Sequence, residues 1–150
     1  MTPFVTAGAG FLLAVLWFDL MFDVQAAPHR DPDLPETVVA SIAGYYRRVT
    51  TAARPMNRLV AGVMAATLVA IIVQLLWGDA PRWAAAVSLA LTAGAISLAA
   101  VHTVPSAVRL GSRSGTIAGQ SRLARSILRD HLLCIAAVVA VLFVQLAFAR

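Results

Sequence analysis

The chain has 150 residues, 60% of them hydrophobic and only 13% charged, with a formal net charge of +5 and a mean hydropathy of +0.81. A water-soluble domain of this length carries roughly twice that charged fraction and still exposes much of its surface, so a soluble globular fold is excluded in favour of a chain solvated largely by lipid. All 12 basic residues are arginine and they fall between apolar runs, not in a separate basic domain, which points away from nucleic acid and toward a membrane.

The fold class predicted is all-α integral membrane: a single domain, residues 1–150, built as a bundle of four transmembrane helices. The first span covers about 4–27 and carries Asp19 and Asp23 near its end. Its approach, Met1 to Gly10, has no positive charge and reads as the start of a retained span. The connection that follows opens with Asp31-Pro-Asp-Leu-Pro-Glu36, where Asp33 and Glu36 have capping-box spacing. Val38, Ile42, Tyr45 and Val49 then recur at helical intervals, which predicts an interfacial amphipathic helix over about 34–50. Arg54-Pro55 predicts a break before the second span.

Spans two and three are expected at about 59–77 and 83–108. Gly78 ends the former, while Asp79 caps the latter and Pro81 lies in its first turn. Trp77 and Trp83 bracket this short connection. In span three, Ser88, Thr92, Ala95, Ala99, His102 and Ser106 form a seam of small and polar residues suited to close packing, and Pro105 predicts a kink. Gly111 to Gly115 is a small, polar loop, helical character returns at Ser121 to Arg129, and span four is expected at about 131–149. Each span supplies the ~20 residues that cross a ~30 Å hydrocarbon core.

Arginine counts set the direction. Arg30, Arg47, Arg48, Arg54 and Arg58 lie between spans one and two. Arg109, Arg113, Arg122, Arg125 and Arg129 lie between spans three and four, against Arg82 and Arg150 on the other side. The expected localisation is a multi-pass cell-membrane protein with cytoplasmic long loops and both termini non-cytoplasmic.

This orientation places four ionisable side chains, Asp19, Asp23, His102 and His131, within roughly 10–15 Å of the inner boundary. They are the candidate catalytic residues, one polar pocket near the inner leaflet with Asn57 and Arg58 at its rim. The same four are a ligand set for iron, zinc or manganese, and His102 and His131 a pair for haem, but no HExxH or Glu-x-x-His pattern selects a cofactor. Acid–base chemistry on a lipid-soluble molecule needs no metal. Alternatives are an accessory subunit packing within a larger membrane complex, and a proton-coupled transporter working as a homo-oligomer. Cys134, the lone cysteine, reads as a small interior residue.

The run Phe11 to Phe22, the loop ending Arg54-Pro-Met-Asn57, the Val104-Pro105 turn and the basic segment leading to His131 resemble the anthrone oxygenase-like family of small four-span membrane proteins. The resemblance implies oxidation of a hydrophobic aromatic or quinone-like compound and carries His131 over as a functional residue. The chain departs from that pattern at Thr103 and Ala107, where asparagines commonly flank the proline, and at Cys134, where an arginine follows the histidine.

Overall fold

The computed structural model describes residues 1–52, 54–78 and 81–148, and among these there is no strand. Helix α1 (Thr2–Asp23) runs into a 3-10 turn, Val24–Ala26. Helix α2 (Glu36–Arg47) widens into a π-turn, Arg48–Ala52, and α3 spans Arg54–Trp77. Helix α4 (Arg82–Leu98), a π-turn at Ala99–Thr103 and α5 (Val104–Gly111) follow one another without a gap, and α6 (Ile117–Phe148) completes the chain.

Four helical stretches are long and apolar enough to cross a membrane: Thr2–Ala26, Pro55–Trp77, Arg82–Gly111 and Ile117–Phe148. They pack as neighbours, α1 on α3 and α6, α4 on α3 and α6. Large apolar side chains face outward and polar ones lie inside. Phe4, Trp17, Phe18, Trp77 and Phe143 are more than 60% exposed, whereas Ser88, Gln145, Asp23 and Asp130 are at most 1% exposed. In water this arrangement would leave large apolar side chains unburied while hiding polar ones, a double cost.

The helical segment expected at Ser121 to Arg129 and the span expected from about 131 are one continuous helix, which begins at Ile117. Nothing between Arg129 and His131 breaks a helix, and the interior stripe Gln120, Ala124, Ile127, His131, Cys134, Val138, Val141, Gln145 continues through the arginines at intervals of three or four. At 32 residues α6 is about 48 Å long, some 18 Å more than a hydrocarbon core. His131 therefore sits near the middle of α6, not at its head.

The predicted amphipathic helix is present as α2, but its buried face is Val39, Ile42, Ala43 and Tyr46. That face packs against α5 and α6 together with Leu34, Leu110, Ala124 and Ile127. Gly111 permits the approach: a Cβ there would lie 2.9 Å from the backbone nitrogen of Arg47. The capping box does not form. Pro35 precedes the first helical residue, and Glu36 pairs with Arg113. Arg125 binds the carbonyls of His29, Asp31 and Pro32, and Ser121 Oγ accepts the amide of Leu34 at 2.9 Å, so the preceding loop is stapled to α6.

Where a kink is predicted, the helix widens. Pro105 has no N–H to give the carbonyl of residue 101 and its ring crowds that carbonyl, and the π-turn at Ala99–Thr103 accommodates both. The turn from α5 to α6 uses two left-handed residues, Arg113 (φ 55°) and Gly115 (φ 94°). Gly78 follows the last residue of α3 and its amide donates to Gln74 at 2.9 Å. Pro81 immediately precedes α4, and the proposed cap Asp79 and the terminal Arg150 lie outside the described residues.

At the end marked by Trp77, Trp83 and Phe148, one side chain from each long helix enters a common clasp. Gln74 of α3 and Gln145 of α6 exchange reciprocal amide bonds of 3.0 Å. Gln74 also donates to Thr2 Oγ1 of α1 at 3.1 Å, and Gln145 to Ser88 Oγ of α4 at 2.9 Å.

Candidate functional site: two imidazole–carboxylate pairs on one helix

The four candidate residues do not form one cluster. Asp19, Asp23 and His131 come together, and His102 pairs instead with Asp130, the two groups meeting through consecutive residues of α6 at the α2 end of the molecule. In the first, His131 Nδ1 lies 2.6 Å from Asp23 Oδ2 and Tyr46 Oη donates to Asp23 Oδ1 at 2.7 Å. Asp23 is fully buried, and both of its oxygens are occupied. A carboxylate only accepts, so the imidazole donates an N–H from Nδ1. Nε2 faces Asp19 Oδ2 at 3.9 Å, too far for a direct hydrogen bond. Asp19 Oδ1 in turn accepts from Tyr45 Oη at 2.6 Å.

Local helix geometry explains why these groups meet. Asp19 and Asp23 are four apart and stand one above the other on α1. Tyr45 and Tyr46 are consecutive on α2, and α2 crosses α1 so that each phenol reaches a different carboxylate. Phe22 stacks on Tyr45 with centroids 4.0 Å apart and an 8° interplanar angle, fixing that ring. Burial and the neighbouring carboxylates push both tyrosines above the ordinary phenol range, burial being the larger cause for each. Both therefore stay protonated donors at neutral pH.

The second pair contains a residue not singled out from the sequence. Asp130, 1% exposed, holds His102: its Oδ2 lies 2.5 Å from Nδ1, and Thr103 Oγ1 donates to the same oxygen at 3.1 Å. Asp130 Oδ1 has no hydrogen-bond partner, the nearest cation being the exposed guanidinium of Arg129 at 3.8 Å. The His102 side chain is 45% exposed. It stands in the wall of a cleft of about 450 Å³ shared with Ser106, Arg109, Thr116, Arg122 and Ser126.

His102 makes no hydrogen bond or ion pair with Asp19, Asp23 or His131; it is held by Asp130, which adjoins His131 on α6. Asn57 donates to the carbonyl of Val49 at 2.7 Å and lies on the exposed side of α3, away from both pairs. Among the described residues, no group of three or more His, Cys, Asp and Glu side chains is arranged to hold a metal ion. The reason is visible in the first pair, where phenols and an imidazole N–H already occupy the carboxylate oxygens.

Sequence reasoning missed Asp130 and Thr103 as site residues, the two tyrosines as donors, and the Gln74–Gln145 clasp. The glutamines carried a usable signal, since each is a lone amide in a long apolar run and needs a partner in lipid. No family model, curated protein or solved structure matches the chain.

Proposed function

We propose that the protein is an integral membrane enzyme whose four long helices form a transmembrane bundle and whose base is His102. In this reading α2 and the arginine-rich turn from α5 to α6 lie on the cytoplasmic side and both termini outside. The apolar outer surface, the arginine distribution and the Trp77/Trp83 belt at the other end support this placement. α2 then lies at the inner leaflet, packed on the bundle by its buried face.

One observation carries the catalytic reading: an imidazole opening on a cleft while a buried carboxylate clamps its Nδ1. Asp130 fixes the tautomer, so Nε2 is the basic nitrogen, and the imidazolium formed on proton uptake is stabilised by the same carboxylate. The substrate is a hydrophobic molecule reaching the cleft from the membrane. The resemblance to anthrone oxygenase-like proteins implies an aromatic or quinone-like one. For a hydroquinone, two protons and two electrons pass to dioxygen, giving quinone and hydrogen peroxide, and His102 assists removal of the first proton. His131, Asp23 and Asp19, held by Tyr46 and Tyr45, position α1 against α6 behind this site.

The test is dioxygen uptake by the protein in nanodiscs with a naphthohydroquinone. Uptake should fall about a hundredfold in His102→Gln and Asp130→Asn and persist in Arg58→Gln. Equal rates in wild type and His102→Gln, or no uptake above protein-free nanodiscs, overturn the reading.

A further inference from the structure

The antiparallel seam between α4–α5 and α6 is read most clearly as a series of rungs. From the tryptophan end these are Trp83 against Phe148, Ser88 to Gln145, Ala95 to Cys134, His102 and Thr103 to Asp130, and then the cleft walls with Ser106 opposite Ser126 and Arg109 opposite Arg122. Two hollows open along it. Beyond the His102 rung lies the 450 Å³ cleft, and before it an apolar groove of about 230 Å³ lined by Leu91, Gly94, Leu98, Leu133 and Ala137 among others. On the first strand of the seam Leu91, Ala95, Leu98, His102, Ser106 and Arg109 recur at intervals of three or four, so groove, histidine and cleft follow one helix face.

The chemistry changes sharply across His102. The groove offers only aliphatic and small side chains. The cleft offers two guanidiniums and several hydroxyls, and neither the Arg109 nor the Arg122 guanidinium has a hydrogen-bond or ion-pair partner among the described residues. Paired, unneutralised guanidiniums beside hydroxyl donors match the oxygens of a phosphate. Free phosphate explains the cleft but leaves the contiguous apolar groove without purpose, whereas an anionic phospholipid uses both.

The geometry points to the α4–α6 seam as a binding site for an anionic phospholipid, its phosphate headgroup between Arg109 and Arg122 and an acyl chain along the groove past His102. This assignment rests on the membrane placement above but not on proton transfer by His102. The cytoplasmic leaflet, where the arginines are placed, is the leaflet that presents anionic headgroups.

Native mass spectrometry of the detergent-purified protein with phosphatidylglycerol and phosphatidylcholine of equal chain length tests it. Wild type should retain phosphatidylglycerol about tenfold better, and Arg109→Gln/Arg122→Gln should abolish the preference. Arg122→Gln alone is read if the double variant does not elute as a folded species. Gly94→Leu, whose Cβ enters open space, should fill the groove and weaken retention of the long-chain lipid without altering the fold. Lipid retention is read without hydroquinone and without dioxygen uptake, which separates this assignment from the catalytic one. Equal retention of the two lipids, no effect of the arginine changes, or displacement by inorganic phosphate together with an indifferent Gly94→Leu would overturn it, the last result marking a free-phosphate site.

Discussion

Asp130 and His131 are neighbours on α6 with opposite roles: Asp130 receives the imidazole of His102 from the α4 side, and His131 presents its own imidazole to Asp23 on α1. One turn of α6 thus ties two helices to itself through chemically equivalent bonds of 2.5 and 2.6 Å, with donor and acceptor exchanged. Asp130→Asn should keep the helix contacts while releasing the His102 tautomer, because an amide can present its NH2 to Nδ1. Histidine 15N shifts in nanodiscs should change at His102 and stay constant at His131. A change at both would show that the pairs act as one unit.

Removing the hydroxyl of Tyr46 leaves one oxygen of a fully buried carboxylate unsatisfied, at a cost of about 1–3 kcal/mol. Tyr45→Phe exposes Asp19, which is already partly accessible, and should cost less than 1 kcal/mol by the same reasoning. Thermal unfolding in a fixed detergent should rank Tyr46→Phe well below Tyr45→Phe. The reverse order would mean that the Tyr45–Asp19 bond outweighs the buried Tyr46–Asp23 bond.

Both tyrosines have pKa values raised by folding from the ordinary 10.0. Their contribution to stability is therefore complete below about pH 10, where folded and unfolded chains are both protonated, and is lost as pH rises beyond it because only the unfolded chain ionises. An alkaline titration should show tyrosinate absorbance appearing together with loss of helical ellipticity, not before it. Early, non-cooperative ionisation of both phenols would contradict their burial.

The reciprocal amides of Gln74 and Gln145 should be coupled. Gln74→Leu and Gln145→Leu each strand the other amide in an apolar interior, whereas the double change removes both. A double-mutant cycle should return a coupling of about 0.6–1.7 kcal/mol. Additive single effects would show that Thr2 and Ser88 suffice as partners.

The long helices were legible because uninterrupted apolar runs of about 20 residues carry no strand alternation or internal breaker, and their ends are marked by Trp77, Gly78, Pro81 and the arginines. The start of α6 was not, because hydropathy reports where a helix leaves an apolar zone and not where its hydrogen bonding stops. Asp19, Asp23, His102 and His131 stood out as ionisable groups among apolar ones. Their division into pairs depended on Asp130, which its position between Arg129 and His131 disguised as a surface charge. Arg125 was similarly disguised, since an arginine that gathers loop carbonyls has the same sequence signature as one that sets orientation.

The π-turn at Ala99–Thr103 inserts part of an extra residue into an otherwise continuous helix, and this has a consequence for how the chain tolerates insertions and deletions. Loss of the extra residue would restore ordinary winding and leave the flanking segments in phase, whereas loss of a residue from the α-helical stretch between Ser88 and the turn would rotate everything before it by about 100° relative to everything after. His102 or Ser88 could then face α6, but not both, so one polar rung would be traded for the other. Pro105, by obliging the helix to widen, keeps its two ends in phase across a distance that no direct contact spans.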